Sequence, residues 1–253
     1  RIIYDIDDMV FLGHSSSANR VLMFLKGKNK MISLMKTSNH VITCTPHLDE
    51  FVRKYNKNTT DISSTINTET YQPVNKYENV NTLTIGWSGS HSTSKYVYLL
   101  KEVLLEVYKK YNFKLLVIGD SSFHIDGLPC EAIQWAEDSE VRDLQRIDIG
   151  IYPLPNEEWV LGKSGLKALQ YMALGIPTIA SAIGANHRVI EDGVSGTLVD
   201  SDESWKKSIE NYLTNPSLRK EHGLKARERV ESMYSVKANE SIYMEVIEKV
   251  IGS

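Results

Sequence analysis

The sequence predicts an α/β chain with a parallel sheet covered by helices on both faces, and three observations carry that prediction. From residue 82 onward, short apolar strand-like runs alternate with helical stretches, the order that crossover connections impose on a parallel sheet. Tyr96 to Tyr111 places Val97, Leu100, Val103, Leu104 and Val107 at i, i+3, i+4 spacing, one apolar helix face. Small-residue loops leave the strand ends at Trp87-Ser88-Gly89-Ser90 and Gly119-Asp120-Ser121-Ser122, and a proline-bearing loop runs from Pro153 to Lys163. Ligands of open parallel sheets bind at those carboxyl ends.

Composition narrows the class. The 253 residues are 42% hydrophobic and 24% charged, as suits a globular protein of one or two domains. A formal net charge of -3 removes the basic footprint of a nucleic-acid binder. No apolar run reaches the ~18 residues of a membrane span. Cys44 and Cys130 stand far apart without metal-ligand spacing, which argues against a disulfide framework or a zinc site and for a reducing, cytoplasmic setting. The chain opens on Arg1 and enters a strand almost at once; the expectation is a fragment of a longer protein.

In chain order, Arg1 to Asp8 is a short strand running into the carboxylates Asp5, Asp7 and Asp8. These read either as a divalent-cation site or as an acidic, solubilising loop. Residues 13–30 read as a polar loop leading to a helix that continues from Met31 to Ser38. His40 to Thr45 is a strand, Pro46 to Tyr55 a helix with proline near its start, and Asp61 to Ser63 a further short strand. Gln72 to Asn81 is polar and aperiodic, a linker. This divides the chain into an incomplete domain over 1–75 and a second over 76–235. The second is expected to hold strands at Thr82–Trp87, Phe113–Ile118, Ile133–Trp135, Asp148–Tyr152 and from Thr178, with Ala182 to Arg188 a loop. Trp205–Leu213 and Pro216–Met233 read as helices, and 236–253 as a terminal segment with a helix from Ser241 to Ile251.

Lys163 to Pro177 reads as a helix whose first turn is small and basic and which Gly175-Ile176-Pro177 ends. A helix N-terminus carries unpaired N–H groups and partial positive charge and so favours an anion. Lys163, Lys167 and Gln170 share one face. The plainer alternative is an ordinary helix with surface lysines. Gly86 and Gly89 permit close backbone approach to a phosphate or simply a tight turn. Trp135 reads as a base-stacking residue or a core aromatic. His14, His91 and His187 are acid/base candidates or loop histidines. Gly-x-Gly-x-x-Gly, Gly-x4-Gly-Lys-Ser/Thr and Gly-x-Ser-x-Gly are all absent, against dinucleotide-dependent, phosphate-loop and esterase chemistry.

The run Gly162-Lys163-Ser164-Gly165-x-Lys167-x-x-Gln170-Tyr171-Met172-Ala173-x-Gly175-x-Pro177 resembles the donor-site signature of retaining GT-B glycosyltransferases of the family 4 type. Glu191-Asp192-Gly193-Val194-Ser195-Gly196-Thr197-Leu198-Val199 is similar to the segment that follows it there, and Asp148 to Leu154 to the one before. The resemblance covers roughly 82–235 and extends more weakly over 1–75. It implies a Rossmann-like domain that binds a nucleotide-sugar donor, an incomplete Rossmann-like acceptor domain, and a last helix that crosses back. It implies transfer with retention to a glycan or lipid-linked acceptor in cell-surface polysaccharide synthesis, with no metal and no other cofactor. It leaves room for peripheral membrane contact at the inner face through an N-terminal segment.

Site roles follow from the resemblance. Lys163 and the N–H groups of Ser164 and Gly165 are expected on the diphosphate, with Lys167 beside them and Gln170 on the ribose. Gly86, Trp87, Ser88, Gly89, Ser90, Gly119, Asp120 and Trp135 complete the donor pocket. The family often has two glutamates seven residues apart where Gly162 and Gln170 stand here, so Glu157 or Glu158 would substitute for the first. Trp87 replaces a common arginine, and Lys95 lies close to the position of a common lysine; Lys163 and Lys95 are therefore the expected catalytic cations. A non-catalytic nucleotide-sugar-binding module and a sugar-nucleotide epimerase remain alternatives.

Overall fold

The computed structural model describes residues 1–9, 28–74 and 82–252. The expected loop and helix start over 13–30, with His14, fall largely outside the described residues, as does most of the linker end. Six strands form one parallel sheet: β4 (Leu83–Ser88), β5 (Phe113–Ile118), β6 (Cys130–Ile133), β7 (Ile149–Tyr152), β8 (Thr178–Ser181) and β9 (Thr197–Val199), in the order β6-β5-β4-β7-β8-β9. A smaller parallel sheet runs β1 (Ile3–Ile6), β2 (His40–Thr43), β3 (Thr59–Asp61). The expected α/β class with parallel sheets is the observed one.

The helices are α1 (Lys28–Thr37), α2 (Pro46–Arg53), α3 (Lys101–Tyr108, entered by a 3-10 turn at Ser94–Leu100), α4 (Glu140–Leu144), α5 (Leu166–Ala173), α6 (Asn186–Val189), α7 (Asp202–Thr214), α8 (Pro216–Arg229) and α9 (Val236–Gly252). The large sheet is buried on both faces. Leu115 and Val117 of β5 join the cluster under α3 and α7, while Leu116 and Ile118 join Leu144 and Tyr171 on the other side, the period-2 alternation of a strand.

Several expectations shift. The strand expected through Trp135 ends at Ile133, because β6 pairs with β5 only as far as Ile118↔Ile133. A short helix, α6, interrupts the expected loop, and α9 begins five residues early. Gly86, expected to line the donor pocket, is buried within β4 and faces its partner Gly150 of β7. A Cβ on Gly86 would stand 2.3 Å from the Ile147 side chain, and one on Gly150 2.6 Å from the Tyr171 ring. These two glycines make room for side chains that cover the β4–β7 junction.

The smaller sheet packs against the larger unit through Arg188, which donates to Asp61 Oδ2 (2.6 Å) and to the Cys44 carbonyl (2.7 Å). Helix α9 returns to it: Val246 packs with Ile42 and Ile62, and Arg1 donates to the Val250 carbonyl. Met9 fills the space beside Gly162, where a Cβ would lie 2.2 Å from its Cγ. No described helix is long and apolar enough to cross a membrane.

Gly150→Ala forces a methyl into the Tyr171 ring. Overpacking of this kind costs about 1–3 kcal/mol, so the urea midpoint of this variant is expected to fall measurably with an unchanged m-value.

Candidate functional site

The strand order doubles back between β4 and β7, so their carboxyl ends diverge and open a crevice. Tyr171 sets its geometry. Its ring is fully buried against Gly150, and its hydroxyl accepts a hydrogen bond from Ser88 N (2.7 Å). Burial raises the Tyr171 pKa well above the usual phenol value. Helix α5, which carries Tyr171, is thereby fixed to the end of β4.

One chamber of the crevice, about 290 Å³, lies against the start of α5 and is walled by Trp87, Tyr96, Tyr152, Lys163, Ser164 and Lys167. Gly165 precedes the helix with φ +78°, and no side chain caps it; the first N–H groups of a helix have no intrahelical partner. Lys167 is half-buried, with Nζ 5.9 Å from the Trp87 ring centroid. Burial first, and the charge of Lys163 second, lower its pKa to about 8. Lys163 Nζ lies 5.0 Å from the Trp159 ring centroid and donates to Asp8 Oδ2 at 2.9 Å. Asp7 and Asp8 line the opposite wall. Uncapped N–H groups and two ammonium groups suit this chamber, the anion chamber below, to a negatively charged group. Among the described residues no three acidic, histidine or cysteine side chains converge on a metal position.

A second chamber, about 530 Å³, shares Ser90, Leu166 and Lys167 with the first. Gly89 and Gly119 form its floor. Gly119 has φ +106°, and a Cβ there would fall 1.7 Å from the Gly89 carbonyl oxygen, so the two loops touch backbone to backbone. Trp135 is 42% exposed here rather than in the core, and its Nε1 donates to Glu140 Oε1 (2.8 Å). Gln170 Nε2 lies 3.0 Å from Tyr71 Oη and 3.2 Å from Glu140 Oε1.

Trp87, Ser88, Gly89, Ser90, Gly119, Asp120, Trp135, Ser164, Gly165, Lys163, Lys167 and Gln170 thus converge on one crevice. Three residues do not. Gly86 is buried in β4. Lys95 is exposed with Nζ 5.3 Å from the Tyr96 ring centroid, on a turn whose inward positions are Ser94 and Val97. Glu158 is exposed on the 3-10 turn Glu158–Gly162 and lines neither chamber. The Asp120 carboxylate is committed to the loops: it accepts from Ser94 Oγ (2.5 Å), Ser122 Oγ (2.7 Å) and Ser122 N (3.1 Å), and it meets His91 Nδ1 at 2.9 Å. Glu140 and Tyr71 were not foreseen. Neither sits in a motif, and each is brought to Gln170 only by folding.

Residues 82–215, more than half of the chain, match the family described as glycosyl transferases group 1. A D-inositol 3-phosphate glycosyltransferase from Streptosporangium roseum is 31% identical over 87 residues, covering 33% of this chain and 19% of that protein. The match therefore spans less than a fifth of that curated relative. Sucrose-phosphate synthase from Thermosynechococcus elongatus superposes with a TM-score of 0.72 at 16% identity, over 99% of this chain and 68% of the other. HepE from Anabaena, solved with UDP and glucose, gives a TM-score of 0.71 at 14% identity, over 96% and 70%. At such identities the likeness shows the fold, which is GT-B.

The hydrogen bonds from Ser94, Ser122 and His91 hold the Asp120 carboxyl well below the usual carboxylate pKa. A carboxyl with a lowered folded pKa stabilises above its unfolded value near 4 and loses that contribution as pH falls below it. Urea midpoints at pH 5 and pH 3 are therefore expected to differ less in Asp120→Asn than in the parent.

Proposed function

The chain belongs to the glycosyl transferases group 1 family, and on that premise we propose that its crevice binds a nucleotide-sugar donor, as part of a retaining, family 4-type enzyme. The observation that carries the reading is the meeting of the two chambers at Lys167. The anion chamber takes the diphosphate and the sugar; the aromatic and polar chamber takes the nucleoside. The complex of HepE with UDP and glucose supports a donor of this class. The acceptor, a glycan or lipid-linked sugar, approaches from the side of Asp7 and Asp8, and the product belongs to cell-surface polysaccharide synthesis.

Cleavage of the donor develops negative charge on the leaving diphosphate. Lys167, Lys163 and the N–H groups before α5 supply preorganised positive charge there, and transfer proceeds without a metal. Lys163 must exchange Asp8 for the diphosphate. The pair is partly exposed, at 25% and 34% for the two side chains, and such pairs are worth under about 1 kcal/mol. The exchange is therefore cheap. Product NMR reports retention, and activity unaffected by EDTA reports metal independence.

One observation favours a non-catalytic module instead. Met9 occupies the space at Gly162, and Glu158 lies outside the crevice, so neither supplies a glutamate to the sugar. Transfer by the full-length protein decides between the readings: donor binding without turnover selects the module.

Calorimetry with UDP, GDP and ADP tests the assignment. Lys167→Ala is expected to weaken the preferred diphosphate about 10- to 100-fold, the worth of a charge-assisted hydrogen bond; unchanged affinity refutes the diphosphate position. Because the free protein's Lys167 titrates near 8, affinity should hold near pH 7 and fall as pH rises through 8. That fall is absent in Lys167→Ala.

A further inference from the structure

Glu140 opens α4, five residues after Trp135 and thirty before Gln170. Nothing in the sequence around it marks a ligand site. Folding places its carboxylate on the wall of the nucleoside chamber, where three donors converge on it. Tyr71 Oη donates to Oε2 at 2.5 Å; Trp135 Nε1 and Gln170 Nε2 donate to Oε1 at 2.8 and 3.2 Å. Tyr71 remains a donor because burial and the bond to Glu140 push its pKa up to about 12.

A carboxylate offers about four lone-pair positions. Three are filled, and Oε2, with one donor, keeps the vacant position. Gln170 directs Nε2 to Tyr71 and Glu140, which leaves its amide oxygen as a second acceptor; among the described residues it accepts no hydrogen bond. Two acceptors side by side match two neighbouring hydroxyl donors, a vicinal diol. The ammonium of Lys167 lines the same chamber at its junction with the anion chamber, so a diol held here belongs to the group attached next to the phosphates. The exposed Trp135 ring provides an apolar face beyond it.

We propose that Glu140, oriented by Tyr71, Trp135 and Gln170, is a specificity-determining residue that accepts a hydrogen bond from the ribose diol of a nucleoside diphosphate and so rejects deoxy-nucleotides. The proposal rests on the functional reading above and adds the discrimination between ribose and deoxyribose. Gln170 alone, a neutral amide whose nitrogen is already committed, supplies the weaker half of that recognition.

The test is calorimetric titration of the full chain with UDP, GDP and ADP and with the 2′-deoxy and 3′-deoxy forms of whichever binds best. The parent is expected to favour the ribonucleotide about 10- to 100-fold over at least one deoxy form. Glu140→Gln is expected to erase most of that ratio while leaving deoxy affinity nearly unchanged. Glu140→Asp keeps the charge but retracts it, and should lose the ratio too, which covers the case in which the glutamine variant folds poorly. A ratio preserved in both variants overturns the proposal. So does an equal loss of ribo- and deoxy-affinity, since a purely structural Glu140 would weaken both alike. No binding of any nucleoside diphosphate to the parent refutes the functional reading itself, and that outcome is distinct from binding without discrimination.

Discussion

The crevice depends on a single hydrogen bond made possible by one absent side chain. Gly86 and Gly150 pair across β4 and β7; Ile147 fills the space at Gly86, and the Tyr171 ring packs on Gly150 with its hydroxyl on Ser88 N. The bond is buried, so leaving the Ser88 N–H without its partner would cost about 1–3 kcal/mol. It also ties α5 to the end of β4. Lys167 on α5 and the serines after β4 can face one another only because that distance is fixed.

Around this fixed junction the binding surfaces differ in kind. The anion chamber relies on backbone N–H groups and on two ammonium groups of unequal freedom: Lys163 is shared with Asp8, whereas Lys167 sits against Trp87 in an environment that disfavours its charge. An incoming anion restores favourable surroundings to that charge, so the cost of burying Lys167 becomes selectivity for a negatively charged ligand. The second chamber relies on a network of neutral donors around one carboxylate, whose geometry is set by Tyr71 from a segment preceding the large domain. Arg227 holds the carbonyls of Thr68, Tyr71 and Ala173, binding that segment to the helices behind α5.

The smaller unit contributes more than a neighbouring wall. Met9 fills the space at Gly162, Asp8 shares Lys163, and Arg188 reaches Asp61 and the Cys44 carbonyl. A side chain at position 162 would collide with this packing. The glycine that departs from the resembling pattern is thus explained by a contact between the two units.

The sequence by itself determined the alternation of strands and helices, the position of the helix at Lys163 to Pro177, and the loops that meet at its start. Those features are local: hydrophobic periodicity, turn residues and a glycine-ended helix are written in neighbouring residues. It placed Gly86 in the donor pocket, Lys95 at the site and Trp135 at a strand end, because which way a residue points near an element boundary is decided by its partners. Only the tertiary structure decided that Gly86 serves packing, that Lys95 faces outward, and that Trp135 and Glu140 stand beside Gln170. The pair Glu140 and Gln170 is separated by thirty residues and the strand β7, and Tyr71 and Gln170 by ninety-nine residues. No short-range pattern encodes such a meeting. It arises from the sheet order, which sets β4 beside β7 and brings the ends of distant strands to one crevice.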